Sequence, residues 1–157
     1  MNLEIERKFL VRDDRFKRQA VRSVRMRQGY IASDAGRTVR VRIAGDRGFL
    51  TVKGPSADGI SRLEWEREIP LADAEELFVF CKEGVIDKTR HIVPAGGGRH
   101  WEVDEFYGDN DGLVVAEIEL GRPDEPFDRP DWLGAEVTGD RRYYNSHLSK
   151  NPYHHWK

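Results

Sequence analysis

The sequence lacks several features that would place the protein in a secreted, membrane-spanning or nucleic-acid-binding class. Its single cysteine, Cys81, cannot form a disulfide framework and favours a reducing compartment. No apolar run approaches the roughly 18 residues of a membrane span, and no signal peptide stands out. The 26 basic residues do not exceed the 28 acidic ones, whereas a general nucleic-acid binder needs a basic excess. We therefore expect a cytoplasmic protein without a membrane or nucleic-acid partner.

What the sequence does contain is charge. Charged residues make up 34% of the 157 residues, alongside enough aromatic and β-branched residues for a folded core. Neither an internal repeat nor a low-complexity tract divides the chain. This length is typical of one domain, so we expect a single domain over residues 1–157.

Alternation of apolar and polar residues predicts eight β-strands, over approximately residues 2–11, 22–32, 37–45, 48–53, 60–69, 85–93, 99–107 and 112–121. Glycine- and aspartate-rich links at 44–48, 54–59 and 108–112 are typical of hairpin loops between antiparallel neighbours. A helix is predicted over 74–82, with Asp73 as its N-cap and Gly84 after its end. A second helix is expected to start near residues 138–140 and to run through Leu148.

The charges of these strands form rows, mostly of one sign. Residues two apart on a strand point to the same face, so each row shares a face. Like charges repel, and a surface that only kept the protein soluble would normally mix the signs. The rows are Glu4, Glu6 and Lys8; Arg40 and Arg42; Glu64 and Glu66; Lys88 and Arg90; Glu102 and Asp104; Glu117 and Glu119.

Two architectures fit this pattern. In a β-sandwich the apolar faces would form the core and the charges would lie in water. In a closed eight-stranded barrel the charges would point inward, where they need partners, water or a ligand. Repeated rows favour the barrel, because arginine forks grip phosphate oxygens and carboxylates hold hard cations such as Mg²⁺.

The rows also resemble a known family. Glu4-x-Glu6-x-Lys8 is similar to the ExExK motif of the CYTH superfamily, the triphosphate tunnel metalloenzymes. The resemblance continues in chain order through Arg40-x-Arg42, Lys53, Glu64-x-Glu66, Lys88-x-Arg90, Glu102-x-Asp104 and Glu117-x-Glu119, and ends at Asp140-Arg141-Arg142-Tyr143-x-Asn145. It implies a mainly β (α+β) fold: an eight-stranded antiparallel closed β-barrel with an outer helix and a C-terminal plug helix. In that family the charged interior binds a triphosphate and divalent metal.

The resemblance also implies roles for individual residues. We expect Glu4, Glu6, Glu117 and Glu119 to bind Mg²⁺ or Mn²⁺. Candidates for a second metal or for orienting the attacking water are Glu64, Glu66, Glu102 and Asp104, with pairing to the basic rows as their alternative role. Phosphate contacts are expected from Lys8, Arg40, Arg42, Lys53, Lys88 and Arg90. Arg141 and Arg142 are expected to reach the substrate from the plug helix, although one of the two should face solvent. Lys8, Lys88, Glu64, Glu66 and Tyr30 are the catalytic candidates, and a purely packing role for Tyr30 stays open.

The sequence resembles most closely the small bacterial inorganic triphosphatases within this superfamily. That resemblance implies metal-dependent hydrolysis of tripolyphosphate to pyrophosphate and phosphate. A class IV adenylate cyclase, a thiamine triphosphatase and a non-catalytic polyphosphate or nucleotide binder remain alternatives, because all would share the same phosphate grip. The surplus of carboxylates argues against the binder, and association into a homodimer is left open.

Overall fold

The computed structural model describes residues 1–81 and 83–156. Within them the chain forms nine strands: β1 (Asn2–Val11), β2 (Arg22–Asp34), β3 (Arg37–Ala44), β4 (Arg47–Lys53), β5 (Ser61–Ile69), β6 (Ile86–Gly96), β7 (Arg99–Phe106), β8 (Val114–Glu119) and β9 (Leu133–Glu136). The α-helices are α1 (Phe16–Gln19), α2 (Leu71–Leu77) and α3 (Asn145–Lys150). Short 3-10 helices cover Phe78–Phe80, Gly108–Asn110, Arg141–Tyr143 and Tyr153–His155. No helix in the described ranges is long and apolar enough to cross a membrane.

Strands β1 to β8 form a closed antiparallel barrel. Their order around the barrel is β5-β4-β3-β2-β6-β7-β8-β1, and β1 closes the ring by pairing with β5. Closure rests on Asn2 opposite Glu64 on one side of β1 and Glu6 opposite Glu119 on the other. The predicted eight-stranded antiparallel barrel is therefore confirmed. The additional strand β9 pairs with the C-terminal part of β1 outside the ring.

The apolar faces of the strands point outward and are covered by helices and loops. Val41 and Ile43 on β3 are buried against Ala74 of α2. On the other side of the barrel, Phe9 and Trp101 pack edge-to-face in a cluster that also contains Trp132. Because these residues alternate with the charged rows, the rows face the barrel interior.

At one end of the barrel the inward face becomes apolar. Ile86, Phe106 and Val115 are buried there with Tyr143 and with Leu148 of α3. This apolar layer closes the end of the barrel. Helix α3 therefore occupies the position expected of the C-terminal plug.

The predicted helices differ in detail from the observed ones. Helix α2 begins at Leu71, directly after its N-cap residue Pro70, whose backbone is extended with ψ 141°. Asp73 lies inside that turn and is not the N-cap, and the predicted helix end at Lys82 lies outside the described residues. The second predicted helix is broken in two because the Tyr144 backbone is extended, with ψ 135°. Helix α1 and strand β9 were not predicted.

Candidate active site

The barrel interior contains a cavity of about 270 Å³. Its charged lining consists of equal numbers of cations and carboxylates: Lys8, Arg40, Arg42, Lys53, Arg62, Lys88 and Arg90; Glu4, Glu6, Glu64, Glu66, Glu102, Glu117 and Glu119. All come from the inward faces of the strands, so the predicted parity places each of them in the cavity. Such a lining can bind a compact anion and a cation together.

The two signs of charge are distributed unequally along the cavity. Lys8, Arg40, Lys88 and Arg90 are buried, and Glu117 is the one lining carboxylate that is buried with them. The Glu66 and Glu102 side chains keep 35% and 31% of their surface exposed. Glu119 is exposed as well. An anion entering the barrel therefore passes carboxylates before it reaches the buried cations.

Asp104 holds two of these cations. Its carboxylate accepts hydrogen bonds from Lys88 Nζ at 2.7 Å and from Arg90 Nε and Nη2 at 2.8 and 2.9 Å. Burial, reinforced by Arg90 and Arg42, outweighs the attraction of Asp104 and lowers the pKa of Lys88 to about 7. Both Asp104 oxygens are taken up by cations, and the residue does not line the cavity. Of the roles expected for Asp104, the structure thus favours pairing with the basic residues, which it anchors.

Arg40 and Arg42 present their guanidinium groups to the cavity from β3. Arg42 Nε donates to Gln28 Oε1 at 3.0 Å, and Arg40 Nη2 donates to Thr51 Oγ1 at 3.2 Å. Burial and the charges of Arg40 and Arg90 lower the pKa of Arg42 to about 9, so it stays protonated at neutral pH. Arg40 Nε is buried without a hydrogen-bond partner. A buried donor without a partner carries a desolvation cost of about 1–3 kcal/mol.

Lys53 links two of the predicted acidic residues. Its ammonium donates to Glu4 Oε1 at 2.6 Å and lies 3.6 Å from Glu64 Oε2. Burial and a hydrogen bond shared with Glu4 raise the pKa of Glu64 to about 7. Glu64 can therefore accept or release a proton near neutral pH.

Glu6 and Glu117 form a close carboxyl pair in the cavity. Burial and the neighbouring Glu117 carboxylate raise the pKa of Glu6 well above its usual range. For Glu117, burial acts in the same direction, but Lys8 at 3.6 Å overcomes it and lowers the pKa to about 2. A divalent cation could replace the proton that the pair shares, so this donor set fits a hard metal ion.

No three His, Cys, Asp or Glu side chains within residues 1–81 and 83–156 are already grouped as a metal site. A metal held by one or two of the carboxylates would therefore need further oxygen ligands. Water and substrate phosphates are the usual sources of such ligands for Mg²⁺. The geometry thus favours a metal that binds together with a phosphate compound.

The structure places the remaining candidates as follows. Tyr30 is buried and lines the cavity, where its hydroxyl accepts a hydrogen bond from Gln28 Nε2 at 3.4 Å. Glu66 accepts a hydrogen bond of 2.6 Å from Thr51 Oγ1. Arg141 and Arg142 are both exposed outside the cavity, and Arg142 pairs with Asp140 at 2.7 Å. A 3-10 turn and not a continuous helix presents them, and it holds both side chains away from the cavity lining.

Several cavity residues were missed by the sequence reasoning. Arg62, Thr38 and Thr51 each lie two residues before a predicted site residue, so the same parity would have found them. Arg62 donates to the carbonyl oxygens of Gly54 and Gly36 at 2.8 and 2.7 Å. The remaining lining residues follow no strand period and enter the cavity only through the tertiary fold: Gly59, Ile60, Thr138, Gly139, Tyr144, Asn145 and Ser146.

Comparison with known proteins agrees with this geometry. The family model of the CYTH domain matches residues 2–151. An inorganic triphosphatase of Acetivibrio thermocellus is 52% identical over 100% of this chain and 99% of its own length. An inorganic triphosphatase of Nitrosomonas europaea is 36% identical over 93% of this chain and 96% of its own. The crystal structure of an inorganic triphosphatase superposes with a TM-score of 0.67 at 32% identity, covering 93% of this chain and 97% of the other.

Proposed function

The chain belongs to the CYTH domain family, and we propose that it hydrolyses inorganic tripolyphosphate to pyrophosphate and phosphate inside the barrel, with a divalent metal ion. The observation that carries this proposal is the cavity itself, in which buried cations lie behind partly exposed carboxylates. Relatives named inorganic triphosphatase that match over nearly the whole chain support the same reaction.

The cavity has room for a triphosphate group but not for a whole nucleotide. Sites for drug-sized organic ligands usually enclose about 300–1,000 Å³. The cavity of about 270 Å³ lies just below that range, and Tyr144, Asn145 and Ser146 line it from the plug. A linear triphosphate with its counter-ions and a few waters suits this volume, whereas a base and ribose would have to remain outside.

Substrate binding falls to the cations that the structure brings together. We assign the phosphate oxygens to Arg40, Arg42, Lys53, Lys88 and Arg90, with Lys8 near the Glu6–Glu117 pair. Phosphoryl transfer needs mainly alignment and charge neutralisation, and groups fixed in advance supply both. Asp104 and Asn145 support this role, because Lys88 Nζ donates to both side chains.

We assign the metal to Glu6 and Glu117, with Glu4 and Glu119 as further candidate ligands. When bound, Mg²⁺ or Mn²⁺ would neutralise charge on the phosphate oxygens. Glu102 pairs with Arg90 at 3.3 Å, so it can hold that guanidinium as readily as a second metal. Glu64 and Glu66 are the carboxylates that we assign to orienting the attacking water, and Tyr30 lines the same cavity.

A side-by-side assay tests the proposal. Phosphate release is measured from tripolyphosphate, ATP and thiamine triphosphate, each with Mg²⁺, with Mn²⁺ or with excess chelator, and cyclic AMP is assayed with ATP. We expect the highest kcat/KM for tripolyphosphate and no turnover in chelator. Cyclic AMP formation would contradict the proposed reaction, and preferred hydrolysis of an organic triphosphate would contradict the proposed substrate. Undiminished activity in chelator would contradict the role of the metal.

A further inference from the structure

The barrel wall contains a gap where strand β1 changes partner. On one side of β1, Asn2–Ile5 pair with β5, whereas Phe9 and Val11 pair with β9. Between these segments the backbone of β1 bonds to loops on this side: Glu6 N donates to Ile60 O at 3.2 Å, and Val137 N donates to Lys8 O at 2.8 Å. The loops that follow β9 and precede β5 therefore fill the wall beside Glu6 and Lys8.

Two glycines meet in this gap. Gly59 is half-buried and Gly139 is exposed, and both line the cavity. Their φ angles are 76° and 79°, a region in which glycine rests without strain. A Cβ atom placed on Gly59 would lie 3.4 Å from Gly139 Cα. At this point the wall between cavity and solvent consists of bare backbone.

The residues beside each glycine are firmly held. Asp58 accepts hydrogen bonds from the backbone N–H groups of Ile60 and Ser61 at 2.9 and 2.7 Å. Thr138 Oγ1 accepts a hydrogen bond from Lys8 N at 2.9 Å, which ties the second loop to β1. Among the described residues, however, no hydrogen bond or ion pair joins residues 54–60 to residues 137–140.

The contact between the two loops is therefore a dispersion contact between glycine backbones, which is individually very weak. Small rotations of the two glycines would separate the loops without breaking a hydrogen bond. The path thus opened leads directly to the region of Lys8 and Glu6, at the buried part of the cavity. The partly exposed carboxylates Glu66 and Glu102 lie along the other route to solvent.

We propose that the Gly59–Gly139 contact closes a side port of the cavity, through which orthophosphate leaves. The proposal rests on the proposed function only for the origin of that orthophosphate, as the smaller product of tripolyphosphate hydrolysis. Pyrophosphate and substrate use the route past Glu66 and Glu102. A port changes the rate at which an anion enters and leaves but not its equilibrium affinity, and this distinction makes the proposal testable.

A reversible cross-link provides the test. In a Cys81→Ala background, which removes the native cysteine, Gly59→Cys and Gly139→Cys are combined and oxidised. The two positions are within the reach of a disulfide, which spans Cα atoms up to about 7 Å apart. Association and dissociation of radiolabelled orthophosphate with Mg²⁺ are measured by rapid filtration, before and after reduction. The reduced protein carries the same substitutions and is the matched control.

We expect the disulfide to slow association and dissociation of orthophosphate equally, by threefold or more, with an unchanged Kd and full reversal by reductant. Rates that change by less than threefold in the verified disulfide form would overturn the port.

If the disulfide does not form, Gly59→Ala with Gly139→Ala should slow the exchange relative to Gly108→Ala. Gly108 has a similar φ of 63° and open space around an added Cβ; equal rates in these variants would also overturn the port. Orthophosphate exchange can be measured without turnover. Failure of the proposed function would instead be seen in the parent protein, as an absence of tripolyphosphate hydrolysis.

Discussion

Replacing Asp104 by asparagine should destabilise the protein strongly. The substitution removes the charge that Lys88 and Arg90 share in a site where Lys88 has no exposed surface and Asp104 only 2%. Removing one partner from a buried ion pair typically costs about 3–5 kcal/mol, because the remaining charge is left without compensation. Counting the three hydrogen bonds to Asp104 at about 1.5–3 kcal/mol each would give a larger loss of stability. Asparagine keeps one acceptor oxygen, however, so part of this hydrogen bonding is retained.

An exposed pair of the same geometry provides the control. Arg25 also binds an aspartate with two hydrogen bonds, at 2.7 and 2.8 Å to Asp87, but solvent reaches both side chains, which are 63% and 43% exposed. Such pairs contribute little to stability because solvent screens them. Asp87→Asn should therefore leave the free energy of unfolding nearly unchanged.

The assay is thermal unfolding followed by circular dichroism at pH 7, without phosphate compounds. For a chain of this size, a change of 1 kcal/mol shifts Tm by about 2–4 °C, so Asp104→Asn should lower Tm by roughly 6–20 °C. Added tripolyphosphate should restore part of the loss by binding to the uncompensated cations. Equal Tm values for Asp104→Asn and Asp87→Asn would refute the view that Asp104 anchors the buried bases.

Three further predictions address the cavity. Because the raised pKa of Glu6 means that its charge opposes folding at neutral pH, Glu6→Gln should keep or raise Tm while abolishing Mg²⁺-dependent phosphate release; a lower Tm would contradict the carboxyl pairing. Arg40→Ala should lower kcat/KM on the order of 10- to 150-fold, the equivalent of one lost charge-assisted contact of about 1.5–3 kcal/mol, whereas Arg67→Ala on the outer face should not. Lys88, with its pKa lowered to about 7, is mostly neutral at pH 8 and should regain its charge beside a polyanion. Tripolyphosphate binding at pH 8 should therefore take up protons, seen in calorimetry as a binding enthalpy that depends on the buffer; no such dependence in the parent, or an undiminished one in Lys88→Met, would contradict this assignment.

The sequence determined the strands and the grouping of charges, because both depend on local geometry. A period of two along the chain puts Glu4 with Glu6, Arg40 with Arg42 and Glu117 with Glu119 on common faces in any sheet. The same period of two also predicts that Arg62 and Thr51 point into the barrel. They were not predicted as site residues because they lie outside the rows of like charge. Helix ends were less predictable: α2 begins at Leu71, after Pro70, whereas the sequence predicted Asp73 as the N-cap.

Only the tertiary structure decided which face points inward and which oxygens remain free. A sandwich and a barrel share the same alternation, and the barrel is distinguished by closure between residues as distant as Asn2 and Glu64. Whether Asp104 binds a metal or a cation depends on Lys88 and Arg90 reaching it from the neighbouring strand. Arg141 and Arg142 point to water because the 3-10 turn before α3 presents them there, and the gap beside β1 exists because two strands share one partner. All of these depend on long-range pairing, which no local period in the sequence encodes.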